Sequence, residues 1–408
     1  MKLIERKDYL KVLIDCMNTP DIKVITGIRR SGKSMLMDYF AKKIMEMNAR
    51  ANIIHVNFNL TEYENLLEYH KLEQHIEDHY SAGRNNYVMI DEVQMCEGFE
   101  KAVNSLHEKL KYDIYVTGSN AFLQSSDLAT LFVGRTFEVQ IYPFSFSEYL
   151  AYFPSENIYG ALTDYLRVGG MSGSYVYRNP AQRSAYLNND VLNSLIVRDI
   201  ESKRKIRNTT LLNDLIDYLM DNIGNLTSIR SIADTLESRH MKADHKTVGK
   251  YIDYLCRSYL FCKVKRYDIR GKKYLSTEEK YYLTDHAFRY ARLGTRYMDF
   301  GRILENAVAV ELLRRKYEVY VGVLYKKEID FVAVRENRKV YIQVANDITD
   351  PSTFDRETAP LLKISDGYPK ILIARTFQPE TDYQGIRIID AAEWLSAPQN
   401  QGNDYFGE

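Results

Sequence analysis

The sequence predicts an α/β protein whose N-terminal part is built on a parallel β-sheet. Up to about residue 155, short apolar runs that are typical of buried strands alternate with segments of helical period. One run, residues 22–25, leads into a glycine-rich loop and then into a segment with helical character. A second run, residues 87–90, ends in two adjacent acids. Strands that alternate with helices favour a parallel sheet, because parallel neighbours need a crossover connection.

The glycine-rich loop has the spacing G-x-x-x-x-G-K-S over residues 27–34. Between a strand and a helix, this spacing predicts a P-loop, in which backbone N–H groups and the helix N-terminus surround a polyphosphate. Gly27 and Gly32 allow backbone geometry that a Cβ would obstruct. We expect Lys33 to reach the β- and γ-phosphates and Ser34 to place its hydroxyl on Mg²⁺. The other nucleotide-binding residues that we predict are Arg29, Arg30, Ser31 and Met35. A simple glycine turn is the alternative, and the two flanking elements argue against it.

The two acids that end the second apolar run are Asp91 and Glu92. At the carboxyl end of a strand near a P-loop, Asp91 can hold the water shell of Mg²⁺. Glu92, one residue further, can polarise a water molecule for in-line attack on the γ-phosphorus. The alternative is a pair of solvated acids that close a strand.

A further apolar strand ends in Thr-Gly-Ser-Asn at residues 117–120. If this strand pairs beside the first one, Ser119 or Asn120 could sense the γ-phosphate or orient the attacking water. The same tetrapeptide is also ordinary turn chemistry, so both interpretations stay open.

Composition and charge restrict the remaining possibilities. A chain of 408 residues is expected to form two to four domains. The formal net charge is +0, so any nucleic-acid binding must come from local patches. The four cysteines form no C-x-x-C pair, which fits a reducing compartment and argues against a structural zinc site. We find no apolar run of membrane-spanning length and no signal peptide, so a cytoplasmic protein without membrane contact is expected.

Five motifs, in residues 27–34, 90–94, 117–120, 131–135 and 143–149, carry a resemblance to a known family. The chain resembles, over nearly its whole length, the AAA-type ATPases of bacteria and archaea that carry an appended restriction-endonuclease-like C-terminal domain of unknown function. The resemblance implies ATP and Mg²⁺ as cofactors. It also implies that Asp91 is the metal-side acid, Glu92 the catalytic base, and Ser119 or Asn120 the first sensor.

Arginines near the nucleotide have more than one interpretation. Arg135 is a candidate arginine finger, because a guanidinium at the γ-phosphate stabilises the charge of the transition state. It could equally be a surface or salt-bridged arginine. Arg29 and Arg30 lie inside the loop, where they are either close to phosphate or directed at a partner.

The middle of the chain is predicted to be helical over residues 156–207 and to form a lid over the nucleotide. Gly169 and Gly170 resemble a family motif, although Ser172 stands where proline is common. A basic run follows, at Arg198, Lys203, Arg204, Lys205 and Arg207. A solvated helix face is favoured over a nucleic-acid contact for this run.

Residues 208–292 predict a winged-helix domain, since helical segments precede two strands around the basic turn at 270–273. Such a domain could place its second helix in the major groove of DNA. Winged helices also serve as protein-docking or lid modules, so a protein partner is the alternative. The basic residues that would meet DNA are Lys246, Lys250, Lys265, Arg266, Lys272 and Lys273.

Residues 293–408 resemble the restriction-endonuclease-like core in the order of their helices and strands. In active members, an acid on the helix, an Asp on the second strand and a Glu/Gln-x-Lys on the third converge on a divalent metal. Glu305, Asp330 and Gln343 fill the ligand positions, but Ala345 stands where the lysine belongs. Lys326 or Lys327 could substitute for it. We favour a degenerate domain that does not cleave DNA, because the charge that stabilises the reacting phosphate is missing.

These predictions combine into one architecture: a P-loop AAA-type core (1–155), a helical lid (156–207), a winged-helix domain (208–292) and an endonuclease-like α/β domain (293–408). The favoured hypothesis is an ATP-hydrolysing protein that couples nucleotide state to movement of the C-terminal module on a protein or DNA partner. An ATP-gated, metal-dependent DNA nuclease and a DNA-binding regulator with ATP as a switch are the alternatives. An oligomer is possible, because Arg135 could act either within its own subunit or between subunits.

Overall fold

The computed structural model describes residues 2–118, 132, 134–201, 206, 208–238, 244–294, 299–325 and 327–398. The chain divides into two compact units. The N-terminal unit is Glu5–Tyr142, and the second unit combines Met1–Ile4 with Pro143–Glu408. The first unit therefore ends earlier than the boundary expected near residue 155, while the division of the remainder into three domains stays a prediction.

The N-terminal unit contains a sheet of five parallel strands in the order β2–β3–β4–β1–β5. The strands are β1 (Ile22–Gly27), β2 (Asn52–Asn57), β3 (Asn86–Asp91), β4 (Tyr112–Thr117) and β5 (Thr136–Ile141). Its α-helices are α1 (Lys7–Asp15), α2 (Lys33–Met47), α3 (Tyr69–Asp78) and α4 (Phe99–Glu108). The predicted parallel core is confirmed.

Apolar side chains cover both faces of this sheet. Val24 of β1 packs in one core cluster with Val56 and Ile90, whereas its neighbour Ile25 packs in a second cluster with Phe40. A strand that is buried on both faces has a nearly continuous apolar sequence, which is why these strands were recognisable in the sequence.

The second unit contains a mixed sheet of eight strands in the order β12–β13–β11–β10–β9–β8–β6–β7. The strands are β6 (Phe261–Asp268), β7 (Lys273–Leu283), β8 (Glu318–Leu324), β9 (Lys327–Arg335), β10 (Arg338–Ala345), β11 (Lys370–Ala374), β12 (Thr381–Tyr383) and β13 (Ile386–Asp390). The order of helices and strands expected in the C-terminal part is present, and the short strand β12 and a helix at Ala391–Ser396 are additional.

Along the chain, the α-helices of the second unit lie before, between and after the strands of this sheet. They are α5 (Phe146–Tyr152), α6 (Ile158–Val168), α7 (Pro180–Ala185), α8 (Thr209–Asp221), α9 (Ile229–Ser238), α10 (His245–Arg257), α11 (Ala287–Leu293), α12 (Phe300–Arg314), α13 (Pro351–Leu362) and α14 (Ala391–Ser396). Two π-helical turns, Tyr186–Leu192 and Leu195–Glu201, continue the helical segment that was predicted as a lid. Within the described ranges, no helix is both long and apolar enough to cross a membrane.

The hairpin β6–β7 differs from the predicted wing in one important respect. We expected it to belong to a separate winged-helix domain, but β6 pairs in parallel with β8, from Lys265 opposite Tyr320 to Asp268 opposite Val323. The hairpin and the C-terminal strands therefore form one continuous sheet. Apolar positions on the inner face explain this outcome, since Tyr267 of β6 packs in the same cluster as residues of β8 to β11.

Candidate functional site

The P-loop has a backbone that demands glycine at two positions. Gly27 has φ +137°, and a Cβ there would lie 2.2 Å from the carbonyl oxygen of Ile141 on β5. Gly32 has φ +97° and is the N-cap of α2, so the helix begins at Lys33. The first N–H groups of a helix have no partner within it, and at this position they are available to an anion.

The charged and polar side chains of the loop lie in different environments. Lys33 is 6% exposed, and its Nζ donates to the carbonyl oxygens of Gly27 at 3.0 Å and Ile28 at 3.2 Å. The ammonium is thus folded over the loop. Ser31 is buried, and its hydroxyl oxygen has no hydrogen-bond partner in the described part of the chain. The other predicted nucleotide-binding residues are Arg29 and Ser34, which are half-buried, and Arg30 and Met35, which are exposed.

Asp91 lies at the same edge of the sheet as the P-loop. It ends β3 and is fully buried, and the Thr117 hydroxyl at the end of β4 donates to its Oδ1. Thr117 in turn lies opposite Ile25 of β1, directly before the loop. The Oδ2 atom of Asp91 has no hydrogen-bond partner within the ranges that the structure describes. A buried carboxylate oxygen without a partner is costly, and a cation with its water shell would satisfy it, so this acid fits Mg²⁺.

Glu92 has an unusual backbone conformation and a specific side-chain partner. Its φ is +56°, in the left-handed region that non-glycine residues rarely adopt, and its N–H donates to the Thr117 hydroxyl at 3.2 Å. Its carboxylate accepts a hydrogen bond from Nε2 of Gln94 at 2.5 Å. Gln94 was not among the predicted site residues, although it lies in one of the motifs that carry the resemblance.

Of the predicted sensor and arginine-finger residues, the structure describes Arg135, which lies away from the loop. Ser119 and Asn120 lie outside the described residues. Arg135 precedes β5, its carbonyl accepts a hydrogen bond from Ile22 N at 2.8 Å, and its side chain forms an ion pair with Glu108. It therefore lies at the amino end of β1, whereas the P-loop follows the carboxyl end, about 17–20 Å away for six residues of strand. Arg135 does not reach the P-loop of its own subunit, and action on a neighbouring subunit stays a prediction.

Arg6 contacts the loop but was absent from the predictions. It is 5% exposed, and its guanidinium donates to the Ser31 carbonyl at 3.1 Å and to the Tyr142 carbonyl at 2.8 Å. No local sequence pattern marks an arginine twenty residues before the loop as part of the site, because only the folded chain brings it there.

The three predicted metal ligands of the second unit lie together but around an ammonium group. Glu305, Asp330 and Gln343 line a cleft of about 730 Å³. Lys280 of β7, which is 2% exposed, places its Nζ 2.8 Å from Glu305, 2.6 Å from Glu328 and 3.9 Å from Asp330. A lone lysine at the start of a predicted apolar strand was the signal that could have identified it.

Hydrogen bonds within the protein also engage several other polar atoms of this cluster. The Tyr282 hydroxyl donates to Glu305 at 2.7 Å, and Nε2 of Gln343 donates to Glu357 at 2.8 Å. Val344 N donates to Asp330 at 2.8 Å. In the part of the chain that the structure describes, no three His, Cys, Asp or Glu side chains are arranged to hold a metal ion. Because Gln343 is not one of those residue types, the metal ligation by Glu305, Asp330 and Gln343 stays a prediction.

Charge interactions in the cluster favour an ionised lysine. Burial lowers the pKa of Lys280, but Glu305, Asp330 and Glu328 together raise it above its usual value. Burial and the nearby Glu305 raise the pKa of Asp330, and Lys280 opposes that effect. The Lys280 ammonium is therefore one cation of this cluster. Of the two lysines proposed as substitutes for the missing one, Lys326 lies outside the described residues and Lys327 is exposed at the start of β9.

The predicted DNA-contacting residues have mixed environments. Arg266 forms an ion pair with Glu278 across the hairpin, so its charge is already balanced. The others are exposed, and they are Lys246, Lys250, Lys265, Lys272 and Lys273. Of the basic run that follows the predicted lid, Lys203, Arg204, Lys205 and Arg207 lie outside the described residues.

Comparisons with known proteins agree with the site in the first unit. A family model described as an AAA domain matches residues 19–150, and a domain of unknown function (DUF8612) matches residues 159–299. The phosphate loop, the buried acid and this match define the first unit as an AAA-type P-loop ATPase domain. The second match covers the predicted lid from residue 159 onward and the whole segment that was predicted as a winged helix.

The chain is 37% identical over 399 residues to an uncharacterized protein of Haemophilus influenzae, with 96% of this chain and 98% of that protein covered. With this similarity over nearly its whole length, the chain belongs to the same family as the Haemophilus influenzae protein, a family with an N-terminal AAA domain. The uncharacterized protein MJ1544 of Methanocaldococcus jannaschii is 26% identical over 366 residues, which cover 86% of this chain and 79% of that protein. Among solved structures, the Walker-type ATPase PABY2304 of Pyrococcus abyssi matches 71% of this chain and 95% of that chain, with 16% identity and a TM-score of 0.47.

Proposed function

We propose that the protein binds ATP with Mg²⁺, hydrolyses it, and couples the nucleotide state to movement of its C-terminal module on a protein or DNA partner. The observation that carries the proposal is the buried Asp91 carboxylate with one unpartnered oxygen, at the same sheet edge as the P-loop. Such a carboxylate would be destabilising unless the site is built to receive a cation.

Each residue of the site has a role in this proposal. Lys33 exchanges its two backbone carbonyl partners for the β- and γ-phosphate oxygens of ATP. Ser34 and Asp91 are the residues that would hold Mg²⁺, which neutralises phosphate charge when bound. Glu92 orients the attacking water and accepts its proton, once its carboxylate is released from Gln94.

The test compares two lysines of the same helix. Lys33→Ala should abolish ATP binding in calorimetry, because the loop loses the cation that neutralises the phosphates. Lys43→Ala is the matched control, since Lys43 is a partly exposed residue of α2 that pairs with Glu46 on the same helix. Unchanged ATP affinity in Lys33→Ala would contradict the assignment. Phosphate release measured with DNA, with RNA and without either would then identify the class of partner.

The proposal extends to the second unit. We propose the lid (156–207), winged-helix (208–292) and endonuclease-like (293–408) divisions as functional segments of one module. Five exposed lysines, named above, support a DNA-facing surface. The ATP-gated nuclease stays the alternative, because the Lys280 ammonium beside Glu305 supplies the kind of positive charge that Ala345 lacks. A cytoplasmic location is proposed as well, since all four cysteines are free thiols.

We also propose that Arg135 completes the nucleotide site of a neighbouring subunit. Its side chain is 45% exposed and lies far from its own P-loop, as a residue that acts between subunits requires. Specific activity should then rise with protein concentration, and mixing Arg135→Ala with Lys33→Ala subunits should restore part of the hydrolysis. A chain that remains monomeric and hydrolyses ATP at full rate would exclude this role.

A further inference from the structure

Arg6 connects three parts of the N-terminal unit through one buried side chain. It precedes α1, and its guanidinium donates from Nη1 to the Ser31 carbonyl of the P-loop and from Nη2 to the Tyr142 carbonyl after β5. The guanidinium carbon lies 4.5 Å from the centre of the Tyr9 ring, and the Tyr9 hydroxyl accepts a hydrogen bond from Tyr142 N at 3.1 Å. Arg6 and Tyr9 together therefore hold both polar backbone groups of Tyr142.

The bond to Ser31 determines how one peptide group of the P-loop is oriented. In a planar trans peptide, the C=O of one residue and the N–H of the next point in opposite directions. Described peptides of this chain are all trans. Because Arg6 holds the Ser31 carbonyl, the N–H of Gly32 points away from Arg6. Gly32 is the second glycine of the motif, and its amide is among those that a P-loop presents to a polyphosphate.

The bond to Tyr142 places the same side chain next to the chain connections between the two compact units. The chain passes from one unit to the other between residues 4 and 5 and again between residues 142 and 143. Arg6 lies two residues after the first connection, and it bonds the last residue before the second. One guanidinium thus contacts the P-loop and the residue that precedes the second connection, and it belongs to a residue that closely follows the first.

We propose that Arg6 is a positioning residue that orients the Ser31–Gly32 peptide for phosphate and transmits occupation of the P-loop to residues 4–5 and 142–143. The inference rests on the proposed function, since it requires ATP to bind at the loop. The guanidinium is a rigid, planar group, so a shift of the Ser31 carbonyl on phosphate binding moves the donor to Tyr142 with it. A flexible ammonium in the same place would bond one carbonyl without moving the other.

The test is hydrogen exchange by mass spectrometry on the full chain, with and without a saturating non-hydrolysable ATP analogue. In the wild type, the analogue should change exchange in the P-loop and in the peptide that follows Tyr142. In Arg6→Gln and Arg6→Lys, the P-loop should still respond at saturation, but the response after Tyr142 should be lost. Affinity for the analogue should fall about tenfold in Arg6→Gln, because a hydrogen bond from a charged donor is removed. Arg50→Gln, at an exposed arginine of the same unit, should behave as the wild type.

Arg6→Lys keeps the positive charge, so it provides the test of the proposed role of Arg6 if Arg6→Gln does not fold. A wild-type exchange response after Tyr142 in the saturated Arg6→Lys protein would overturn the proposal, and so would an affinity within twofold of wild type in folded Arg6→Gln. The two proposals fail in different ways. A wild-type chain that does not bind the analogue contradicts the proposed function itself. A wild-type chain that binds it with no exchange change after Tyr142 contradicts only the role of Arg6.

Discussion

The two carboxylate sites of the molecule differ in what balances their charge. In the first unit, Asp91 is buried with one oxygen satisfied by Thr117 and the other without a partner in the described chain. In the second unit, Glu305 and Asp330 lie beside the buried ammonium of Lys280. Buried charges are tolerated only when they are paired or bind a metal. The first site is therefore built to receive a cation, whereas the second already contains one.

The largest expected effect concerns Glu92, which follows Asp91 in the carboxylate site of the first unit. Glu92→Gln should retain ATP binding and slow hydrolysis by about 10²–10⁴-fold, because an amide cannot accept the proton of the attacking water. Glu97→Gln is the matched control, since Glu97 is an exposed acid in the same loop region. Steady-state phosphate release and calorimetry measure the two quantities. Wild-type turnover in Glu92→Gln would mean that this residue is only a strand-end acid.

The second prediction tests whether Lys280 is the cation of the C-terminal cluster. Lys280→Met should lower the free energy of unfolding by about 3–5 kcal/mol in urea, because it leaves buried carboxylates without their partner. The same variant should gain binding of Mn²⁺, which can neutralise Glu305 and Asp330 in place of the ammonium. Lys250→Met, at an exposed lysine of α10, should change neither quantity.

Adding Glu305→Gln to Lys280→Met tests whether unpaired carboxylates cause both the loss of stability and the gain of Mn²⁺ binding. The double variant should recover part of the lost stability and lose the Mn²⁺ binding, since one carboxylate is gone. If the wild type binds Mn²⁺ in the cleft as tightly as Lys280→Met, the cluster is a metal site after all, and the contrast with Asp91 disappears.

The smallest expected effect concerns the hydrogen bond that Gln94 donates to the Glu92 carboxylate. Gln94→Ala should raise basal hydrolysis by up to about tenfold, because the Gln94 amide competes with water for the Glu92 carboxylate. Turnover at saturating ATP measures this, and ATP affinity should stay unchanged. A fall in turnover would instead show that Gln94 helps Glu92 to orient the water.

The sequence predicted those features that local pattern determines. The P-loop spacing, the acids after an apolar run and the strands buried on both faces each depend on adjacent residues, and the structure contains them at nearly the expected positions. Asp91 and the P-loop meet because the carboxyl ends of parallel strands share an edge, which the alternation of strands and helices already implied.

The sequence did not predict contacts between residues far apart in the chain. Arg6 is 25 positions from Ser31 and 136 from Tyr142, and Lys280 is 25 from Glu305. No periodicity or motif spacing in the sequence predicts such pairs, because these contacts depend on how the helices and strands pack in the folded protein. The same limit explains the hairpin β6–β7, whose sequence fits a free wing equally well until its pairing with β8 is seen.

The pairing of β6 with β8 limits where a fragment of the C-terminal part can begin. A fragment that starts at residue 293, the predicted domain boundary, would lack β6, and the backbone groups of β8 that now bond to it would be open to solvent. Unpaired strand edges recruit other strands, so such a fragment should aggregate or form spurious dimers. A fragment that begins at residue 143, where the second compact unit begins, keeps that edge covered and is the piece on which binding by the C-terminal part can be measured.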